Sequence, residues 1–86
     1  IKDLVGYMKT KDFTNARKWV VENLDNAPTE LFKKIYDGLY EGVTSSSIPQ
    51  AILILAEYQY KSAFVADQEI NLVACIVELM MGCEFK

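Results

Sequence analysis

Apolar and polar positions recur with a helical period from one end of this chain to the other. Ile1, Leu4, Val5 and Met8 follow the i, i+3, i+4, i+7 spacing of an amphipathic helix. Thr10-Lys11-Asp12 ends it, and Asp12 can cap the next helix by accepting from its free N–H groups. That second helix carries Phe13, Ala16, Val20 and Leu24 on one face, with Trp19 beside them as a core anchor. Leu24 to Pro28 reads as a turn, followed by a helix with proline in its first turn, where the missing N–H costs nothing. Its apolar stripe is Leu31, Phe32, Ile35, Tyr36, Leu39, Tyr40 and Val43, and Lys33, Lys34, Asp37 and Glu41 take the wet side. Gly38 and Gly42 also fall on the wet side, where they either admit a close helix approach or, at Gly42, help end the helix. Thr44 to Ser47, four hydroxyl residues ahead of Ile48-Pro49, have the chemistry of an N-cap followed by a proline inside the first turn.

The stretch from Ala51 to Met81 is the most apolar, with a short break around Ser62 to Asp67. At 100° per residue, its first half places Ile48, Ala51, Ile52, Leu55 and Ala56 on one side. Gln50, Glu57 and Lys61 form a narrow polar strip there, bordered by Leu53 and Tyr60 on one side and by Ile54 and Tyr58 on the other. Its second half starts near Asp67, ends near Gly82, and gathers Ile70, Leu72, Val73, Ile76, Val77, Leu79, Met80 and Met81 over more than half its circumference. Asp67, Asn71 and Glu78 are its polar strip. Ile52, Leu55, Leu72, Val73, Ile76 and Val77 are the expected contacts between these two helices. A helix this apolar is either central in a core or covered on a second side by another molecule. The pattern predicts an all-α fold, a compact bundle of about five helices in one domain over residues 1–86.

Composition narrows the function classes. A 51% hydrophobic and 24% charged chain is of the soluble globular kind. No uncharged run approaches the ~18 apolar residues of a membrane span, and a cytoplasmic setting is expected. The net charge of −3 argues against a nucleic-acid surface on this domain alone. It is uneven: Lys2, Lys9, Lys11, Arg17 and Lys18 give residues 1–18 a local +3, and the remainder sums to −6. Cys75 and Cys83, eight positions apart on one helix, would lie ~12 Å from each other, too far for a disulfide. Without histidine the commonest general base is missing, and no glycine-rich phosphate loop is present. Carboxylates such as Asp37, Glu41 and Asp67 fall on wet faces. No catalytic, cofactor or metal residues are therefore assigned, and the chain is not expected to be an enzyme.

Three runs carry a family resemblance. Residues Lys9 to Arg17, KTKDFTNAR, resemble the second-helix opening of clamp-loader small subunits of the replication factor C type. Asp67 to Cys75, DQEINLVAC, is similar to the last helix of the same domain, and the ending Cys83-Glu84-Phe85-Lys86 resembles that of the T-even phage small subunits. The departure is an extra serine in Ser45-Ser46-Ser47, which lengthens a turn.

The resemblance implies a C-terminal collar domain, an oligomerisation module that holds ATPase subunits in a ring during DNA replication. Its partners would be the other clamp-loader subunits. The sliding clamp and primed DNA would be reached only through ATPase modules preceding Ile1, so the chain is expected to be a fragment of a longer subunit. Leu53, Ile54, Tyr58 and Tyr60 are the expected subunit-interface residues, because apolar and aromatic anchors beside a polar edge fit an interface. The competing expectation is a stand-alone helical adaptor that buries its apolar excess in some other partner.

Overall fold

In the computed structural model, which describes residues 1–86, the chain is five helices: α1 (Lys2–Lys9), α2 (Phe13–Glu22), α3 (Pro28–Gly42), α4 (Ile48–Lys61) and α5 (Gln68–Gly82). A single 3-10 turn, Ser45–Ser47, precedes α4. The all-helical bundle is as the periodicity requires. Local chemistry starts the helices where it was expected to. Asp12 accepts from the Asn15 N–H and Asp67 from the Ile70 N–H, each closing one of the free donors of a helix start. Pro28 opens α3 without a side-chain cap.

α5 is the central element. It packs against α1, α2 and α4, and α3 closes the bundle against α1 and α4. Leu72, Cys75, Ile76 and Leu79 of α5 meet Leu4 and Met8 of α1, Ala16 and Val20 of α2, and Leu31, Ile35 and Leu39 of α3 in one buried cluster. Trp19 is half-buried against it, in the anchoring position its spacing predicted.

The glycines of α3 turn out to face α1 rather than solvent. A Cβ at Gly38 would stand 2.6 Å from Ile1 Cγ1, and one at Gly42 would stand 2.6 Å from Val5 Cγ1. Close helix approach, not a wet face, is what these residues serve.

The link from α3 to α4 corrects a second expectation. Ser47 precedes α4 but does not cap it, because its backbone is already αR (ψ −10°) and a capping side chain needs an extended residue. Its Oγ instead accepts from the Glu84 N–H at 2.9 Å. The tail is fixed beside this link: Thr44 N–H donates to Glu84 O and Lys86 N–H to Gly42 O, both at 2.9 Å. Lys11, in the left-handed region at φ 60°, sends its ammonium to the Met80 carbonyl and so satisfies the C-terminal turn of α5.

Candidate interaction surface

α4 is apolar on nearly every side, so its neighbours decide which side is core. α3 and α5 close over Ala51, Ile54, Leu55 and Tyr58. This direction is rotated by about 80° from the face the sequence pattern favoured, taking 100° per residue. Ile52, expected inside, is 41% exposed at the edge of a depression of about 290 Å³ between α3 and α4. Ile54, expected at the rim, is 4% exposed, with its Cδ1 against Gly82 of α5. Tyr58, also expected at the rim, is buried.

Two of the four expected interface residues are therefore core residues of the domain itself. Ile54 is covered by the C-terminal end of α5, where its Cδ1 lies against Gly82. Tyr58 is covered because its hydroxyl has a partner on α5: it donates to Glu78 Oε1 at 3.1 Å. Burial, with the Glu78 hydrogen bond and charge behind it, pushes the phenol up to about 12. Asn71, expected on a wet strip, is buried as well, and its Nδ2 donates to the Tyr58 carbonyl at 3.1 Å. That carbonyl lies in the last turn of α4 and also accepts from the Ser62 N–H at 3.0 Å, so Asn71 takes its second acceptor position.

Leu53 and Tyr60 do lie on the surface, 66% and 71% exposed. They sit seven positions apart, about two helical turns, on the side of α4 opposite its buried stripe. Phe64, 72% exposed, extends their line just beyond the helix end, with its ring centroid 5.2 Å from that of Tyr60 and tilted by 55°. Beside this ridge runs the Glu57–Lys61 pair at 3.2 Å, and the Lys61 ammonium lies 4.9 Å from the Tyr58 ring centroid.

Phe64 escaped the sequence reading because it falls in the break between helices. Its spacing of four from Tyr60 is the signal that could have placed it. Ile70 and Met81 of α5 are also exposed, although both were counted with the apolar arc. Their separation of eleven residues, three turns, puts them on one face.

Neither cysteine is placed for chemistry. Both thiols are buried and free. Desolvation, then the Glu78 charge, pushes Cys75 up from 9.0 to about 12, and desolvation raises Cys83 too. A thiol kept protonated is a poor nucleophile. The folded state holds these protons above the pH at which the unfolded chain releases them. The stabilisation is complete below about pH 9 and falls as pH rises toward 12, with a slope of about 1.4 kcal/mol per pH unit for Cys75 alone. Urea midpoints should drop markedly between pH 8 and pH 10.5. A flat profile would show that the thiols ionise as freely in the fold as outside it.

No group of three or more His, Cys, Asp or Glu side chains is arranged to hold a metal ion. No helix is long and apolar enough to cross a membrane. In comparisons with known proteins, no protein-family model and no curated protein matches this sequence.

Proposed function

We propose that this chain is the collar domain of a sliding-clamp-loader small subunit, an oligomerisation module that holds ATPase subunits in a ring during DNA replication. The observation that carries the reading is the ridge of Leu53, Tyr60 and Phe64. Three large apolar side chains stand in line, two on α4 and one just past its end, on the side opposite the helix's own core. Aromatic and aliphatic anchors next to a polar edge, here Glu57 and Lys61, are what a protein–protein contact uses. The five-helix architecture agrees with the resemblance carried by residues 9–17, 67–75 and 83–86. In this reading a neighbouring subunit covers the ridge. Nucleotide, sliding clamp and primed DNA are handled by other modules of the parent subunit.

The test is a double substitution, Leu53→Asp with Tyr60→Ser. Circular dichroism of the 86-residue chain should show an unchanged helical signal, because neither side chain contributes to its core. Sedimentation of the parent subunit should show the ring falling apart, since the substitution would bury an unpaired carboxylate at the contact, a cost of several kcal/mol. A ring that assembles normally with both substitutions would reject α4 as the contact face. A parent reading frame without a phosphate-binding loop would instead favour the stand-alone adaptor.

A further inference from the structure

The ridge on α4 is nearly symmetric about its own middle. Leu53 and Phe64 lie equally far, ~8 Å, on either side of a midpoint between Tyr58 and Gln59. Tyr60 stands close to that midpoint, with its ring beside that of Phe64. Glu57 and Lys61 straddle the midpoint too, Glu57 on the Leu53 side and Lys61 on the Phe64 side. At 100° per residue both fall on the same edge of the ridge, where they pair with each other at 3.2 Å. α4 packs on α3 and α5, and the side that carries the ridge is left open.

Such a face is complementary to an inverted copy of itself. A two-fold axis through the midpoint, perpendicular to both helices, turns α4 end for end and keeps each lateral edge on its own side. Leu53 of each copy then meets Phe64 of the other, and the two Tyr60 rings flank the axis. On the charged edge, Glu57 comes level with Lys61 of the second copy to within about one residue, ~1.5 Å along the helix. Each carboxylate then stands between two ammonium groups, one from each chain. A parallel pairing would put the two charged edges on opposite sides of the contact, where they could not meet.

We propose that α4 of a second copy of this chain covers the ridge, in an antiparallel two-fold pair. The inference rests on the reading of the ridge as a subunit contact and names what seats on it. Leu53, Tyr60 and Phe64 are each about two-thirds exposed or more. With the stems of Glu57 and Lys61 around them, the two copies would remove on the order of 1,000 Å² from water, the size of a weak, reversible contact. A dissociation constant on the order of 100 μM is expected. A two-fold contact uses the same patch on both partners, so association stops at two chains. A ring containing such pairs closes through a further contact elsewhere on the parent subunit.

The experiment is sedimentation of the 86-residue chain from about 10 μM to about 1 mM, concentrations that bracket the expected constant. The average mass should rise from one chain to two and level off there, and Leu53→Asp should hold it at one. Glu57→Lys and Lys61→Glu should each weaken self-association at least fivefold, because each leaves one sign of charge on the edge. Mixed together, these two variants should pair at least as tightly as the wild type, since every charge then faces its opposite. Circular dichroism should show all three variants as helical as the wild type. The proposal is overturned by a chain that stays monomeric, by association that continues past two, or by a mixture that pairs no better than its components. A monomeric chain whose parent ring still falls apart with Leu53→Asp and Tyr60→Ser rejects the self-pairing and leaves the collar reading standing. A charge-dependent dimer alongside a ring unaffected by those substitutions supports the pairing and rejects the collar contact.

Discussion

Ile54→Asp is expected to unfold the domain, and Leu53→Asp, one residue earlier, is expected to leave it intact. Ile54 is 4% exposed and sits between α4 and the C-terminal end of α5, with Gly82 against its Cδ1. Removing the side chain alone forfeits about 2–5 kcal/mol of transfer and cavity energy. An unpaired carboxylate in its place adds a desolvation cost of several kcal/mol more. The total rivals the ~5–15 kcal/mol that stabilises an ordinary domain. At Leu53 an aspartate remains in water and costs only the difference in helix propensity, ~0.7 kcal/mol or less. Circular dichroism at 25 °C separates the two. A helical, cooperatively melting Ile54→Asp variant would mean that α5 does not close over this part of α4.

Ile76→Ala should produce the largest loss among simple truncations. Ile76 is buried in the middle of α5, the helix that touches α1, α2 and α4. A cavity there has walls on several helices, so collapse around it is restricted, and ~2–5 kcal/mol is expected. For a domain of this size each kcal/mol shifts the melting temperature by roughly 4–8 °C. Ile52→Ala is the informative control. Its side chain is already part-solvated, so its truncation should cost well below that of Ile76. Equal losses at the two positions would place Ile52 in the core after all and would reinstate the face of α4 that the sequence pattern favoured.

The contrast between Ile52 and Ile54 shows where sequence reasoning stops for this chain. Periodicity locates a buried face only when polar residues mark the opposite one. In α4 the markers are sparse, so many rotations satisfy the pattern almost equally. α3 and α5 select one of them by packing, and they select the side holding Ala51, Ile54, Leu55 and Tyr58. Asn71 was misplaced for the complementary reason. Its polarity marks a wet face only if no backbone acceptor awaits it, and the last turn of α4 supplies one at the Tyr58 carbonyl. Ser47 was assigned to the nearest unsatisfied group in sequence, the start of α4, and found a distant one at Glu84.

The sequence by itself determined the number of helices, most of their ends, and the all-α class. Each of these follows from interactions within a few residues: Asp12 and Asp67 capping their own helices, Pro28 opening α3, Gly82 ending α5. It also placed Leu53 and Tyr60 on the surface, because at 100° per residue they lie more than about 100° from both the face the pattern favoured and the one that packing selected. Only the tertiary structure decided that Ile54 and Tyr58 are internal, that Gly38 and Gly42 admit α1, and that Phe64 extends the exposed ridge. Those facts depend on which helices approach one another and how closely, and such contacts join residues that local periodicity cannot relate.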